Sequence, residues 1–159
     1  MTEEQKPTQA VGKDGTTIQS NANTKLKILY LEDDDRFVER GIRELEKIVG
    51  KGNVDYYITP KDVPQDIDWV NPPYDLIVTD QTMPGMSGTA FARELRKSNQ
   101  DIPIILTTAN HLAVVKDNNP DFDALNVTHY YGKLGSIEPD LTKLVKETLG
   151  LPNSRQVGE

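Results

Sequence analysis

The residues best suited to chemistry in this chain are polar groups that each stop a short apolar run. Glu32 and Asp33 follow the run from Leu26 to Leu31, Asp80 follows the run from Tyr74 to Thr79, Thr108 closes the run that begins at Ile102, and Lys133 comes just after Val127 to Tyr131. Adjacent carboxylates repel each other unless a cation relieves them. Together Glu32, Asp33 and Asp80 supply hard oxygen ligands of the kind Mg2+ takes, with water completing the octahedron. Taken singly, each residue has a plainer reading. The acidic run from Glu32 to Asp35 suits a helix start, with Asp34 or Asp35 as the expected N-cap. Asp80 reads equally as a turn residue, Thr108 as a strand-end threonine and Lys133 as a solvated lysine.

The elements that would position these groups alternate strand and helix. Their apolar runs are continuous, the pattern of strands covered on both faces. After the first acidic loop, Val38, Ile42, Leu45 and Val49 repeat at helical spacing, and Gly50 stands where that helix would end in a left-handed turn. Residues 54–58 read as the second strand. The stretch beyond is broken by Pro60, Pro64, Pro72 and Pro73 and leaves room for a short helix over 64–70, packed down by Trp69. Past Asp80, the turn 81–86 leads to a helix capped by Ser87, with Phe91 and Leu95 inward. Residues 102–106 and 127–131 are the last two strands, and a final helix over 137–149 starts at Ser136 and stops at Gly150. This order predicts a doubly wound, five-stranded parallel sheet of flavodoxin-like order 2-1-3-4-5. Ligands of such sheets bind outside the carboxyl ends of the strands, where the strand order reverses, so Glu32, Asp33, Asp80, Thr108 and Lys133 converge there.

The 159 residues give room for one domain and its tails. Residues 1–24 are rich in Thr, Gln, Lys, Glu, Gly and Asn and read as a disordered polar tail, residues 25–150 as the folded domain and 151–159 as a short C-terminal tail. A formal net charge of -7 argues against nucleic acid and anionic membrane as partners, and favours a cation or a basic protein surface. With no cysteine there is no disulfide, thiolate zinc site or thiol nucleophile, which fits a reducing compartment. Neither a basic-then-apolar leader nor a run long enough to span a bilayer is present, and a cytoplasmic location is expected.

Five pieces carry a family resemblance: Ile28-Leu29-Tyr30-Leu31-Glu32-Asp33-Asp34, Tyr74-Asp75-Leu76-Ile77-Val78-Thr79-Asp80, Met83-Pro84-Gly85-Met86-Ser87-Gly88, Pro103-Ile104-Ile105-Leu106-Thr107-Thr108-Ala109 and Tyr130-Tyr131-Gly132-Lys133. In this order, each at a strand end, they resemble the receiver domains of two-component response regulators over residues 25–150. The resemblance implies transfer of a phosphoryl group from a phosphohistidine to the Asp80 carboxylate, giving an acyl phosphate. It implies Mg2+ held by Glu32, Asp33, Asp80 and the Thr82 backbone carbonyl. Lys133 and the Thr108 hydroxyl would each meet a phosphoryl oxygen. A carboxylate suffices as nucleophile because the loose transition state asks for alignment and charge neutralisation. As the switch, Thr108 would move toward the phosphoryl group and Tyr130 rotate inward behind it, repacking the surface of the fourth helix, fifth strand and fifth helix.

The implied partners are a sensor histidine kinase or phosphotransfer protein and a downstream target protein. The chain would thus be a signalling phosphoacceptor and not an enzyme acting on other molecules. No output domain fits after Gly150, so a regulator acting alone through protein binding is expected. In the family the residues two past the acceptor and two past the threonine tune dephosphorylation. Here they are Thr82 and Asn110, neither of them a carboxylate that could activate a water, which implies a long-lived phosphorylated state.

Two departures stand out. Leu134 follows Lys133 where the family has a proline. Asn119-Pro120-Asp121 reads as N-cap, first helical residue and first-turn acid, predicting a short helix over 120–125 ended by a left-handed Asn126 and leaving 110–118 as a loop or separate turn. Two alternatives stay open at this point. A haloacid-dehalogenase-like phosphatase would use the Asp33 and Asp35 pair but leave Asp80 unexplained. A receiver-like protein-binding module would use no phosphorylation at all.

Overall fold

Every residue of β1 (Ile28–Leu31), β3 (Leu76–Asp80) and β4 (Ile104–Thr108) is buried, as continuous apolar runs require of strands covered on both faces. The computed structural model describes residues 10–11, 17–18, 25–131 and 141–153. Two further strands, β2 (Val54–Tyr57) and β5 (Thr128–Tyr131), complete a parallel sheet of order β2-β1-β3-β4-β5. This is the predicted 2-1-3-4-5 arrangement. The edge strand β2 is only half-buried.

Helix α1 (Asp35–Val49) begins at Asp34, whose carboxylate accepts the Arg36 N–H at 3.0 Å, and stops at Gly50 with φ +99°. Together with α4 (Leu141–Thr148) it covers one sheet face, burying Ile28, Tyr30, Leu76, Val78 and Ile105 against Leu45 and Val145. Helix α2 (Gly88–Arg96), capped by Ser87 as predicted, covers the other face with Phe91 and Leu95 against Leu29, Leu31, Ile77 and Ile104. Fully burying each such aliphatic side chain contributes about 1.5–3 kcal/mol. Ser136 and Ile137, the expected start of the last helix, lie outside the described residues.

The two proline-marked connections depart from expectation. Between β2 and β3 no helix forms over 64–70; a single 3-10 turn, Pro60–Asp62, is capped by Thr59 instead. Prolines at both ends of that stretch remove amide donors, and Asp68 accepts the Val70 N–H at 2.9 Å in a turn that competes with a helix. Trp69 still packs this segment down, stacking on Tyr74 and meeting Phe91 edge-on at centroid distances of 6.3 and 5.9 Å. Between β4 and β5 a two-turn helix, α3 (Leu112–Asn118), occupies the stretch expected to be a loop or separate turn. The helix expected over 120–125 is a 3-10 turn, Phe122–Leu125, ended by a left-handed Asn126 (φ 49°, ψ 52°). The side chains explain the difference. Asn119 turns back to the Val115 carbonyl (2.9 Å) and closes α3, while Asp121 leaves the helix start to pair with Arg93 of α2.

Within the stretch read as a polar tail, Ala10–Val11 pairs antiparallel with Thr17–Ile18. No helix among the described residues is long and apolar enough to cross a membrane.

Candidate metal centre

Parallel register brings the acids together. Leu31 of β1 stands beside Thr79 of β3, so the next residue of each strand, Glu32 and Asp80, emerges at the same edge. Glu32 is 1 % and Asp80 5 % exposed, and Asp33 beside them is half-buried. One carboxylate oxygen from each of the three lies within 4.8 Å of the others. Two nearly buried carboxylates and a third so close form an all-oxygen donor set that fits a hard divalent cation. Asp35, which the phosphatase reading pairs with Asp33, opens α1 and stands outside this cluster.

Main-chain donors fix the acids. The Asp34 N–H donates to Glu32 Oε1 at 3.0 Å, and the Gln81 N–H donates to Asp80 Oδ1 at 2.7 Å. Gln81 then ties the turn after β3 to the start of α2, its amide accepting from Thr89 N (2.9 Å) and donating to Thr89 Oγ1 (3.0 Å). The Gly88 N–H closes on the Gln81 carbonyl at 3.0 Å. At Gly88 the helix presses so closely on the sheet that a Cβ would run into the Asp80 carbonyl oxygen and the Leu106 side chain. From the other side, the Thr59 hydroxyl donates to the Pro84 carbonyl at 2.9 Å.

Two phenols register the negative charge of the cluster. Tyr30, buried on the same face of the sheet, has its pKa raised above the ordinary phenol value, first by burial and then by Glu32, Asp80 and Tyr56. Tyr56, which donates to the Glu32 carbonyl at 2.8 Å, is raised likewise by burial and by Asp35, Glu32 and Asp33.

Thr108, 1 % exposed, ends the neighbouring strand, and its Oγ1 accepts the Asn110 N–H at 2.9 Å. Thr82 and Asn110 are exposed. Tyr130 takes its place in β5 opposite Thr107 of β4. Lys133 and Leu134 lie outside the described residues.

The family model of the response regulator receiver domain matches residues 28–124. The chain belongs to this family. No curated protein matches it. Among solved structures, this receiver is similar to the non-phosphorylated HemR receiver domain of Leptospira biflexa at 22% identity and a TM-score of 0.58, covering 82% of this chain and 98% of that one. It is similar to the response regulator TrrA of Thermotoga maritima in complex with Mg2+ and beryllofluoride at 27% identity and a TM-score of 0.57, covering 77% and 98%. It also resembles the receiver domain of the histidine kinase CKI1 of Arabidopsis thaliana, complexed with Mg2+ and beryllofluoride, at 18% identity and a TM-score of 0.61, covering 79% and 90%.

In this receiver, sequence reasoning missed the residues that hold the site: Gln81, Thr89, Tyr30 and Tyr56, and the close approach at Gly88. Tyr30 and Gly88 stand in pieces that carry the resemblance, but no periodicity or motif pairs Gln81 with Thr89 or Tyr56 with Glu32. The one available signal was Gly88 directly after an N-cap serine, where a glycine in the first helical turn is otherwise a costly choice.

Proposed function

We propose that this receiver accepts a phosphoryl group on Asp80 from a phosphohistidine of a sensor histidine kinase or phosphotransfer protein. The observation that carries the reading is the meeting of Glu32, Asp33 and Asp80 oxygens within 4.8 Å at the carboxyl edge of the sheet. The Mg2+ and beryllofluoride complexes of TrrA and CKI1 support it. In the transfer the N–P bond of the donor breaks as the bond from an Asp80 carboxylate oxygen to phosphorus forms, and the imidazole leaves with the electron pair. The Glu32, Asp33 and Asp80 side chains and the Thr82 carbonyl would hold Mg2+, which supplies charge neutralisation for the phosphoryl oxygens. Thr108 donates its hydroxyl hydrogen to one phosphoryl oxygen and Lys133 neutralises another. The Gln81 N–H and the α2 contacts keep Asp80 aimed during the reaction.

The signal leaves through Thr108 and Tyr130 to the crossover and β5, and from there to a target protein. Residues 25–150 act as the receiver, with a cytoplasmic location and a role as signalling phosphoacceptor. Mass spectrometry after incubation with acetyl phosphate and Mg2+ tests the assignment. A single added phosphoryl group is expected, dependent on the cation and absent from Asp80→Asn; equal labelling of Asp80→Asn removes the proposal.

A further inference from the structure

Tyr56 of the edge strand β2 stands opposite Tyr30 of β1, and the two rings meet at a centroid distance of 5.9 Å on the sheet face that α1 covers. From there the phenol of Tyr56 reaches past the end of β1, where its O–H donates to the Glu32 carbonyl at 2.8 Å. That carbonyl belongs to the peptide joining Glu32 to Asp33. A peptide unit is planar, so holding its C=O also sets the direction of the Asp33 N–H. Rotating the unit changes ψ of Glu32 and φ of Asp33 together, and with them the direction in which the Asp33 side chain leaves the backbone.

The three acids differ in what else holds them. Glu32 is fixed at its N–H by the Tyr57 carbonyl (3.2 Å) and at Oε1 by the Asp34 N–H (3.0 Å). Asp80 is fixed at Oδ1 by the Gln81 N–H (2.7 Å). Among the described residues no hydrogen bond reaches the Asp33 carboxylate. On its far side, Asp34 is committed to the start of α1, its carboxylate accepting the Arg36 N–H at 3.0 Å and its carbonyl the Phe37 N–H at 2.9 Å. The chain is thus anchored just before and just after Asp33, and the peptide between Glu32 and Asp33 is held by Tyr56.

We propose that Tyr56 is a positioning residue for the bound cation: its phenol O–H fixes the peptide between Glu32 and Asp33 and so aims the Asp33 carboxylate at the point where Glu32 and Asp80 converge. The inference rests on the reading of Glu32, Asp33 and Asp80 as metal ligands and adds to it what sets the geometry of that site. Aim matters more to one cation than to another. Mg2+ demands a near-regular octahedron, whereas the larger Ca2+ accepts irregular and flexible oxygen coordination. A well-aimed Asp33 therefore favours Mg2+ over Ca2+, and loss of the aim costs Mg2+ first.

The test is calorimetric titration of the full chain with Mg2+ alone and with Ca2+ alone, in wild type, Tyr56→Phe and Asp33→Ala, each checked for folding by circular dichroism. Phenylalanine keeps the ring against Tyr30 and removes only the donor. Tyr56→Phe should bind Mg2+ roughly three- to tenfold more weakly than wild type, the worth of one neutral hydrogen bond, and Ca2+ within roughly twofold of wild type. The preference for Mg2+ over Ca2+ should fall accordingly. Mg2+ binding by Tyr56→Phe equal to wild type would overturn the proposal. So would equal losses for both cations, which is what a merely loosened fold gives. Wild type that binds no Mg2+, or Asp33→Ala that binds it as well as wild type, would instead overturn the metal-centre reading and this inference with it.

Discussion

Replacing Arg96 by methionine should be costly, although the residue lies outside the acidic cluster. Arg96 is 6 % exposed, and its guanidinium donates to three carbonyls: Nε to Leu125 (2.8 Å), Nη2 to Asn126 (3.1 Å) and Nη1 to Asn99 (3.1 Å). Burial lowers its pKa, with Asp101 pulling it back. Hydrogen bonds from a charged group contribute about 1.5–3 kcal/mol each, while burying the guanidinium costs several kcal/mol. Methionine keeps the apolar stem and removes the desolvation cost, yet orphans the carbonyl of buried Leu125 and releases the left-handed Asn126, two residues before β5. The net loss is about 2–4 kcal/mol, because water can reach the exposed Asn126 but not Leu125 as readily. For a domain of this size that lowers Tm by roughly 6–12 °C. Urea and thermal denaturation followed by circular dichroism measure it. Arg96→Lys should fall nearer to methionine than to wild type, since one ammonium cannot span three carbonyls. If Arg96→Met lies within about 0.5 kcal/mol of wild type, the guanidinium does not hold the crossover and the reasoning fails.

Gly88→Ala should cost about 1–3 kcal/mol and displace Asp80, so that beryllofluoride binding falls further than stability does; intact binding would show that α2 shifts without moving Asp80. Asp33→Ala should weaken Mg2+ binding roughly tenfold or more while leaving melting in EDTA unchanged or raised, because one repelling carboxylate is gone. A clearly lower Tm in EDTA would contradict a cluster under charge repulsion. The exposed pair Thr82 and Asn110 should set the lifetime of the phosphorylated state. Loss of label at fixed Mg2+ should be faster in a Thr82→Asn, Asn110→Glu double variant than in wild type, and equal decay would remove both positions from that role.

Much of this receiver was determined by local sequence. Short continuous apolar runs bounded by turn residues point to strands covered on both faces, and alternation with helices then favours a parallel, doubly wound sheet whose carboxyl edge collects whatever ends each strand. The meeting of Glu32, Asp33 and Asp80 follows from that rule together with the register of β1 and β3. Caps were equally legible: Asp34, Ser87, Gly50 and Asn126 act through their own backbone neighbours. Tertiary structure decided the rest. Asn119 and Asp121 look like a helix start until Arg93, distant in sequence, claims the Asp121 carboxylate and Asn119 folds back on α3. Arg96 sits in a helix like any basic residue, and only the packed crossover turns it into a buried tether. The clamp from Gln81 to Thr89 and the glycine-width approach at Gly88 are of the same kind. Each depends on two segments meeting at ångström precision, and such a meeting leaves no periodicity in either segment alone.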